Sequence, residues 1–459
     1  MSHFNFYVGL NLGGIGLDDA DVTITVYDGR DTITHQGTGN AALTLPNGLY
    51  TVRAEYAQEF EERIVRHTGA TQVTIRPTRH AAAPLFGTAT AHEYYSYPSG
   101  DISRKETDQP LGDARDDGRL FIFIRTTDQR AYHGQDLSDK LSLRKPKTNQ
   151  VLTTFDDGVE KNKAGFLAYS VRAEPGMYVL EYAGAPARQM PLYVFAGWQT
   201  QVFVIHHQRP LLEGATIYLA RSGNGFRADD RYAYAADMAI NGLQNDRALM
   251  PREAMQTLLY GKFDNPMLGL LGAHILLRQP KVERHTIEMV LGNLNYLLPG
   301  SSDVAALQIF KALKLGEPIP KNVSFETMPM LRAGFEAIIA ADNLEEQIIP
   351  DGGWVERIAA RVYTDSPWTS WEPLPAPKAS PPPPPPALFN LSTYTSIFRS
   401  PLVDHAEVKS PEKNWMQDSL REAIARGQKT GQPPEIVMAK FATDLKVPLR
   451  LVKRAYTEL

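Results

Sequence analysis

Arg450, Lys453 and Arg454 stand at i, i+3 and i+4, a spacing that gathers three cations on one face of a helix. Such a face suits either the phosphates of a nucleic acid or an acidic patch on a protein partner. Trp198 is the other candidate contact, because an indole at a strand turn serves as a core anchor or as an exposed aromatic for a partner. His206 and His207 invite a metal, but adjacent side chains on a strand point to opposite faces and do not share one ion. Asp18, Asp19, Asp21, Asp28 and Asp31 lack the fixed spacing of a calcium loop and read as solvated turn acids. His274 and His285 read as packed or surface histidines. The chain has no GxxxxGK[ST], HExxH or GxSxG pattern. No catalytic, cofactor-binding or metal-ligating residue is assigned, and the protein is expected not to be an enzyme.

Composition narrows the classes further. A chain of 459 residues exceeds one ordinary core and divides into several domains. Charged residues at 22% and apolar residues at 43% are those of a globular protein, and a net charge of -4 argues against a chain-wide polyanion-binding surface. Zero cysteines exclude disulfides, thiolate zinc sites and a cysteine nucleophile. The opening MSHFNFYVGLNLGG has neither a basic leader nor a sustained apolar core, and the most apolar run, Met267 to Leu277, contains His274 and is about half a membrane span. A cytoplasmic location without a membrane partner is the expectation.

The elements that position these residues begin with an internal repeat. Gly48 to Ile75 and Gly176 to Val204 both open Gly-apolar-Tyr, carry a second glycine 21 residues on at Gly69 and Gly197, and end in Thr-Gln-Val from Thr71 and Thr200. The equal spacing predicts equivalent strands in two tandem antiparallel β-sandwiches, residues 1–80 and 83–222. In the first, Val22, Ile24 and Val26 alternate with threonines, Asp28-Gly29 and Pro46-Asn47-Gly48 turn the chain, and short strands follow to Ile75. This order of signals, with its G-x-Y-x-V strand after a turn, resembles the transthyretin-like and carboxypeptidase-regulatory-like folds, which implies a structural or binding module without catalysis. In the second, Leu120 to Arg125, Phe166 to Val171 and Gly176 to Tyr182 are expected to share a sheet. Ser99 to Gly118 and Asn149 to Ala164 read as long polar connections.

From Asp229 the period changes to near 3.6, so residues 228–365 are expected to form an all-α bundle or short helical array. Pro251, Asn265-Pro266 and Asp303 mark helix starts, while Pro299-Gly300 and Gly316 mark ends. Residues 366–394 read as a proline-rich linker: nine prolines lie between Pro373 and Pro386, a span on the order of 43 Å at about 3.1 Å per residue. Residues 395–459 then form a small helical domain whose last helix turns Leu451, Val452, Ala455, Tyr456 and Leu459 inward. The stretch MAKFATDLKVPLRLVKRAYTEL resembles a helix-turn-helix, which implies DNA contact through the basic triad.

The sequence thus supports first a non-enzymatic adaptor or scaffold for protein partners, in a layout that resembles multidomain proteins of bacterial defence or signalling systems. A DNA-binding regulator is the alternative, and a carbohydrate-binding or hydrolytic protein using loops of the second sandwich is the third reading. The proline run predicts that limited proteolysis of the whole chain cuts between about Pro373 and Ser400 and releases the tail as one fragment on a denaturing gel. Resistance there, with cleavage elsewhere, would mean a docked tail.

Overall fold

The computed structural model describes residues 3–374 and 415–457, apart from 11–21, 76–91, 127–135 and some shorter stretches. Five runs of alternating apolar residues and two polar edges give the amino-terminal module its strands. These are β1 (His3–Leu10), β2 (Thr23–Asp28), β3 (Ile33–Thr38), β4 (Ala41–Pro46), β5 (Gly48–Tyr56), β6 (Glu59–His67) and β7 (Thr71–Ile75). They form two sheets, β4-β1-β7 and β3-β2-β5-β6. Because side chains alternate across each strand, one face of each sheet is apolar. Phe6, Val8, Leu45 and Ile75 of the first sheet join Ile24, Val26, Val52 and Ala54 of the second in one buried cluster. His67 is fully buried beside it, with Nε2 3.1 Å from the Leu45 carbonyl, Nδ1 2.8 Å from Thr71 Oγ1 and its ring edge against Phe6.

The second module comes after a helix, α1 (His92–Ile102). Its strands are β8 (Gly118–Thr126), β9 (Leu141–Arg144), β10 (Val151–Thr153), β11 (Val159–Asn162), β12 (Phe166–Ala173), β13 (Gly176–Tyr182), β14 (Arg188–Val194), β15 (Trp198–His207), β16 (Arg209–Pro210) and β17 (Thr216–Arg221). One sheet runs β10-β9-β13-β14, and the other runs β11-β12-β8-β15 with β16 and β17 paired on β15. The wiring repeats that of the first module: β8, β9, β10, β12, β13, β14 and β15 take the places of β1 to β7. In both, a hairpin (β5-β6, β13-β14) stays in one sheet while the next strand crosses to the other. There β7 runs parallel to β1, with Phe6 opposite Thr71 and Val8 opposite Val73. Likewise β15 runs parallel to β8, with Leu120 opposite Thr200 and Ile122 opposite Val202. The two Thr-Gln-Val endings therefore occupy the same place.

Three sequence expectations are corrected here. The sheets are mixed rather than purely antiparallel, because the crossing strand meets its neighbour in the same direction. β13 lies in a different sheet from β8 and β12, because it pairs with β9 and β14. The supposed polar connections also carry structure: Ser99 lies within α1 and is buried, and Asn149 to Ala164 contains β10 and β11.

Among the described residues seven helices come next: α2 (Tyr232–Gln244), α3 (Arg252–Gly261), α4 (Pro266–Arg278), α5 (Arg284–Leu297), α6 (Ser302–Leu315), α7 (Arg332–Glu345) and α8 (Trp354–Ala359). Pro266 opens α4 as its fixed φ allows, and Asn265 Oδ1 accepts from the backbone N–H of Met267, 3.2 Å. The same oxygen accepts from Leu219 N–H, 3.0 Å, so one cap ties α4 to β17. Gly269 lets α5 approach closely, since a Cβ there would stand 2.8 Å from Leu294 Cδ2. Gly316 closes α6 in the left-handed conformation, φ 65°. Pro251 lies outside the described residues. Asp303 is not the cap of α6. Ser301 is, and the fully buried Asp303 carboxylate instead accepts from the N–H groups of Met330 and Leu331 at 3.0 and 2.9 Å.

The chain divides into two compact units, Met1–Pro373 and Leu374–Leu459, so the helices at 228–365 are not set apart from the β modules as expected. Residues 366–372, assigned by composition to the linker, belong to the first unit. Trp368 and Trp371 are fully buried, and Trp371 bridges Gln189 and Val362. The proline run itself lies outside the described residues.

Burial raises the Asp303 carboxyl to about 6, against the pull of its two backbone donors. A folded value above the ordinary one means that this group's contribution is complete below about pH 4 and is lost as pH rises through about 6. Asp303→Asn keeps one acceptor oxygen and cannot ionise. It should cost about 1–3 kcal/mol in urea unfolding, most at the acid end, and flatten the stability curve between about pH 4 and 6.

Candidate functional site

The second unit contributes the basic face. Helices α9 (Trp415–Lys429), α10 (Pro434–Leu445) and α11 (Leu449–Thr457) bury Leu420, Ile424, Met438, Ala442, Val447 and Val452 against one another. Pro434 starts α10, and Lys446 ends it at φ 55°, with Val447 N–H returning to the Ala442 carbonyl at 3.0 Å. The three-residue turn Lys446-Val447-Pro448 then leads into α11. On α11 Val452 and Ala455 point into the core while Lys453 and Arg454 are exposed and Arg450 is half-buried. The triad thus shares one face, as its spacing requires. Tyr456 does not turn inward: it is 37% exposed, because the stripe centred on Val452 and Ala455 leaves it on a flank about 70° away at 3.6 residues per turn. Leu459 lies outside the described residues.

Trp198 is in the first unit and is a core anchor, not a partner contact. It is 4% exposed, its indole N–H donates to the Leu297 carbonyl at the end of α5, 3.1 Å away, and the Arg221 guanidinium lies 5.0 Å over its ring. The two groups of candidates assigned from sequence therefore belong to different units. His206 is buried on β15, in line with a strand residue, and the side chain of His207 is not described. His274 is buried in α4 near Phe310 with neither ring nitrogen hydrogen-bonded, and burial holds it far down, at about 3, so it stays neutral. Asp28 is a turn acid: its carboxylate accepts from Arg30 and Thr32 N–H, both 2.9 Å, and those bonds lower its pKa. The other four aspartates of that cluster lie outside the described residues. Among the described residues no group of three histidine, aspartate or glutamate side chains could hold a metal, and no helix is long and apolar enough to cross a membrane.

Two concavities were invisible in the sequence. A slot of about 250 Å³ is lined by Lys147, Phe325, Glu326, Pro350, Trp354 and Arg357. Lys147 Nζ lies 2.6 Å from Glu326 and lowers that carboxyl. A groove of about 410 Å³ between α5 and α6 is lined by Gly292, Asn295, Lys311, Glu317 and Pro318. There Lys311 and Arg284 hold Glu317 below its usual value. Their residues come from separate segments, so no local spacing signals them.

No family model and none of the curated proteins matches the chain. Among solved structures, the Bacillus anthracis TIE protein aligns at 10% identity over 46% of this chain with a TM-score of 0.16, and the match spans about a third of that protein (34%). A candidate adhesin from Bacteroides ovatus aligns at 6% identity over 48% of this chain and 94% of its own, with a TM-score of 0.14. Both are β-rich likenesses too slight to carry an argument about function.

The anchor role of Trp198 separates two substitutions. Trp198→Phe, which removes only the indole donor and some volume, should cost about 1 kcal/mol, and Trp198→Ala about 3–5 kcal/mol, in denaturant unfolding followed by circular dichroism. Equal and small losses would mean that the ring does not bear on the core.

Proposed function

We propose that the protein is a non-enzymatic adaptor: tandem β-sandwiches and their helical layer form a rigid body, and the tail recruits a protein partner. The observation that carries this reading is the division into two compact units, the second of which has its own three-helix core and an outward basic face. Two compact units on one chain allow each to hold a different partner, and linking them raises the effective concentration of one partner at the other. Repetition of the sandwich wiring supports a binding scaffold, as do the transthyretin-like signals of its strands. Arg450, Lys453 and Arg454 meet an acidic patch on that partner. Cytoplasmic work within a bacterial defence or signalling complex is consistent with the layout and is part of the proposal.

One observation favours the DNA-regulator reading: α10, a three-residue turn and α11 present these cations on the second helix of a helical hairpin. Three cations near Asp444 make a modest field, which places this reading second.

Both readings meet in one experiment on the full chain. Phosphate contact gives a log-log salt slope of about -0.9 per contact on duplex DNA, so the triple variant R450A/K453A/R454A should flatten that slope by roughly two to three units if the DNA reading holds. The adaptor reading expects duplex affinity at nonspecific levels in both proteins, and a stoichiometric protein complex, rebuilt from purified components, that the triple variant loses. Sequence-selective, micromolar or tighter duplex binding would overturn it.

A further inference from the structure

The two modules share their wiring but not what covers their edges. In the second, the outer edge of β14 is taken: Gln189 and Trp371 exchange two backbone N–H···O bonds, each 2.9 Å, as an antiparallel bridge. Aligning the pairs Gly48–His67 and Gly176–Val194 puts Glu62 of β6 where Gln189 stands on β14. Among the described residues no strand or bridge pairs on the outer edge of β6. The adjoining sheet face also differs. Ile33, Tyr27, Thr51 and Ile64 are cross-strand neighbours in one row across all four strands, with Leu49 on the same face. Ile64 is 79% exposed, whereas Met177 and Val179, the counterparts of Leu49 and Thr51, are 9% and 3% exposed.

We propose that β6 is a dimerisation edge, through which a second copy of this chain pairs antiparallel with the two-fold axis at Ile64. In that register Ile64 faces its own copy, and Glu62 and Arg66, two residues to either side on the same face, each face the other's counterpart. Charges on an edge strand ordinarily discourage pairing. Here the symmetry converts them into two Glu–Arg pairs flanking an apolar contact, an arrangement that stabilises cross-strand neighbours. Centring on Arg63 instead would set like charges on the axis, so the charge pattern selects this register. Both side chains are exposed, and Glu62, 3.8 Å from Arg53 Nη1, has room to serve a second cation. The two four-stranded sheets become one of eight, with the cross-strand row continuous across the axis and Ile64 covered.

Sedimentation equilibrium of the full chain over a wide concentration range tests this. The expected result is a reversible dimer of two 51.1 kDa chains. E62R and R66E should each raise its dissociation constant about tenfold or more, since each turns two attractive pairs into like-charge pairs. The double variant E62R/R66E should restore the dimer, and so should mixing the two single variants, which shows that the variants fold. A wild-type chain that stays monomeric, or a dimer indifferent to both charge reversals, would overturn the proposal. So would a monomer whose β6 edge accepts only a strand from a different protein.

Discussion

The reciprocal backbone bonds between Gln189 and Trp371 hold the larger unit together at the point where strands and helices meet. Every residue of β14 is buried, so its polar atoms find no water and need partners from the layer above. Trp371 supplies a backbone pair and an indole N–H to Gln189 Oε1 at 2.7 Å. Ser370 accepts from Arg188 at 2.8 Å, whose guanidinium lies 4.1 Å over the Tyr363 ring. Tyr193 reaches Ser302 and the Met328 carbonyl. Glu181, nearly inaccessible, accepts from Gln189 and pairs with Arg144 at 2.9 Å. These bonds are worth little one by one, but each broken one would strand a buried polar group at about 1–3 kcal/mol.

That network explains what sequence reading reached and what it missed. Period-two alternation located the strands, and the 21-residue glycine spacing found the repeat, because both are set by local geometry. Asn265-Pro266 and Gly316 located helix ends for the same reason. Asp303 was misread because its carboxylate serves residues 27 and 28 positions away, which no cap rule sees. Trp368 and Trp371 were swept into the proline-rich linker by the prolines that begin at Pro373, immediately after them. The Arg450, Lys453 and Arg454 face was legible because one helix carries all three. The slot around Trp354 was not, because it draws on three separate segments.

Duplication followed by unequal covering gives the larger unit its asymmetry. The second copy gained β11 beside β12, β16 and β17 on β15, and bonds from Trp371 and Ser302 to β14, and positions that stand exposed in the first copy are covered in it: Leu49 and Ile64 correspond to the buried Met177 and Pro191. The first copy keeps charged residues around a small apolar centre.

Pairing the first strand of each module with one made much later has a consequence for synthesis. As the chain leaves the ribosome, β1 and later β8 wait with one side unpaired until some sixty or more residues have emerged behind them, since β7 and β15 are the strands that take that side. During that interval each is an apolar strand with an open flank, the species most prone to pair with a neighbouring nascent copy. Two such windows open one after the other on the same chain, once in each module.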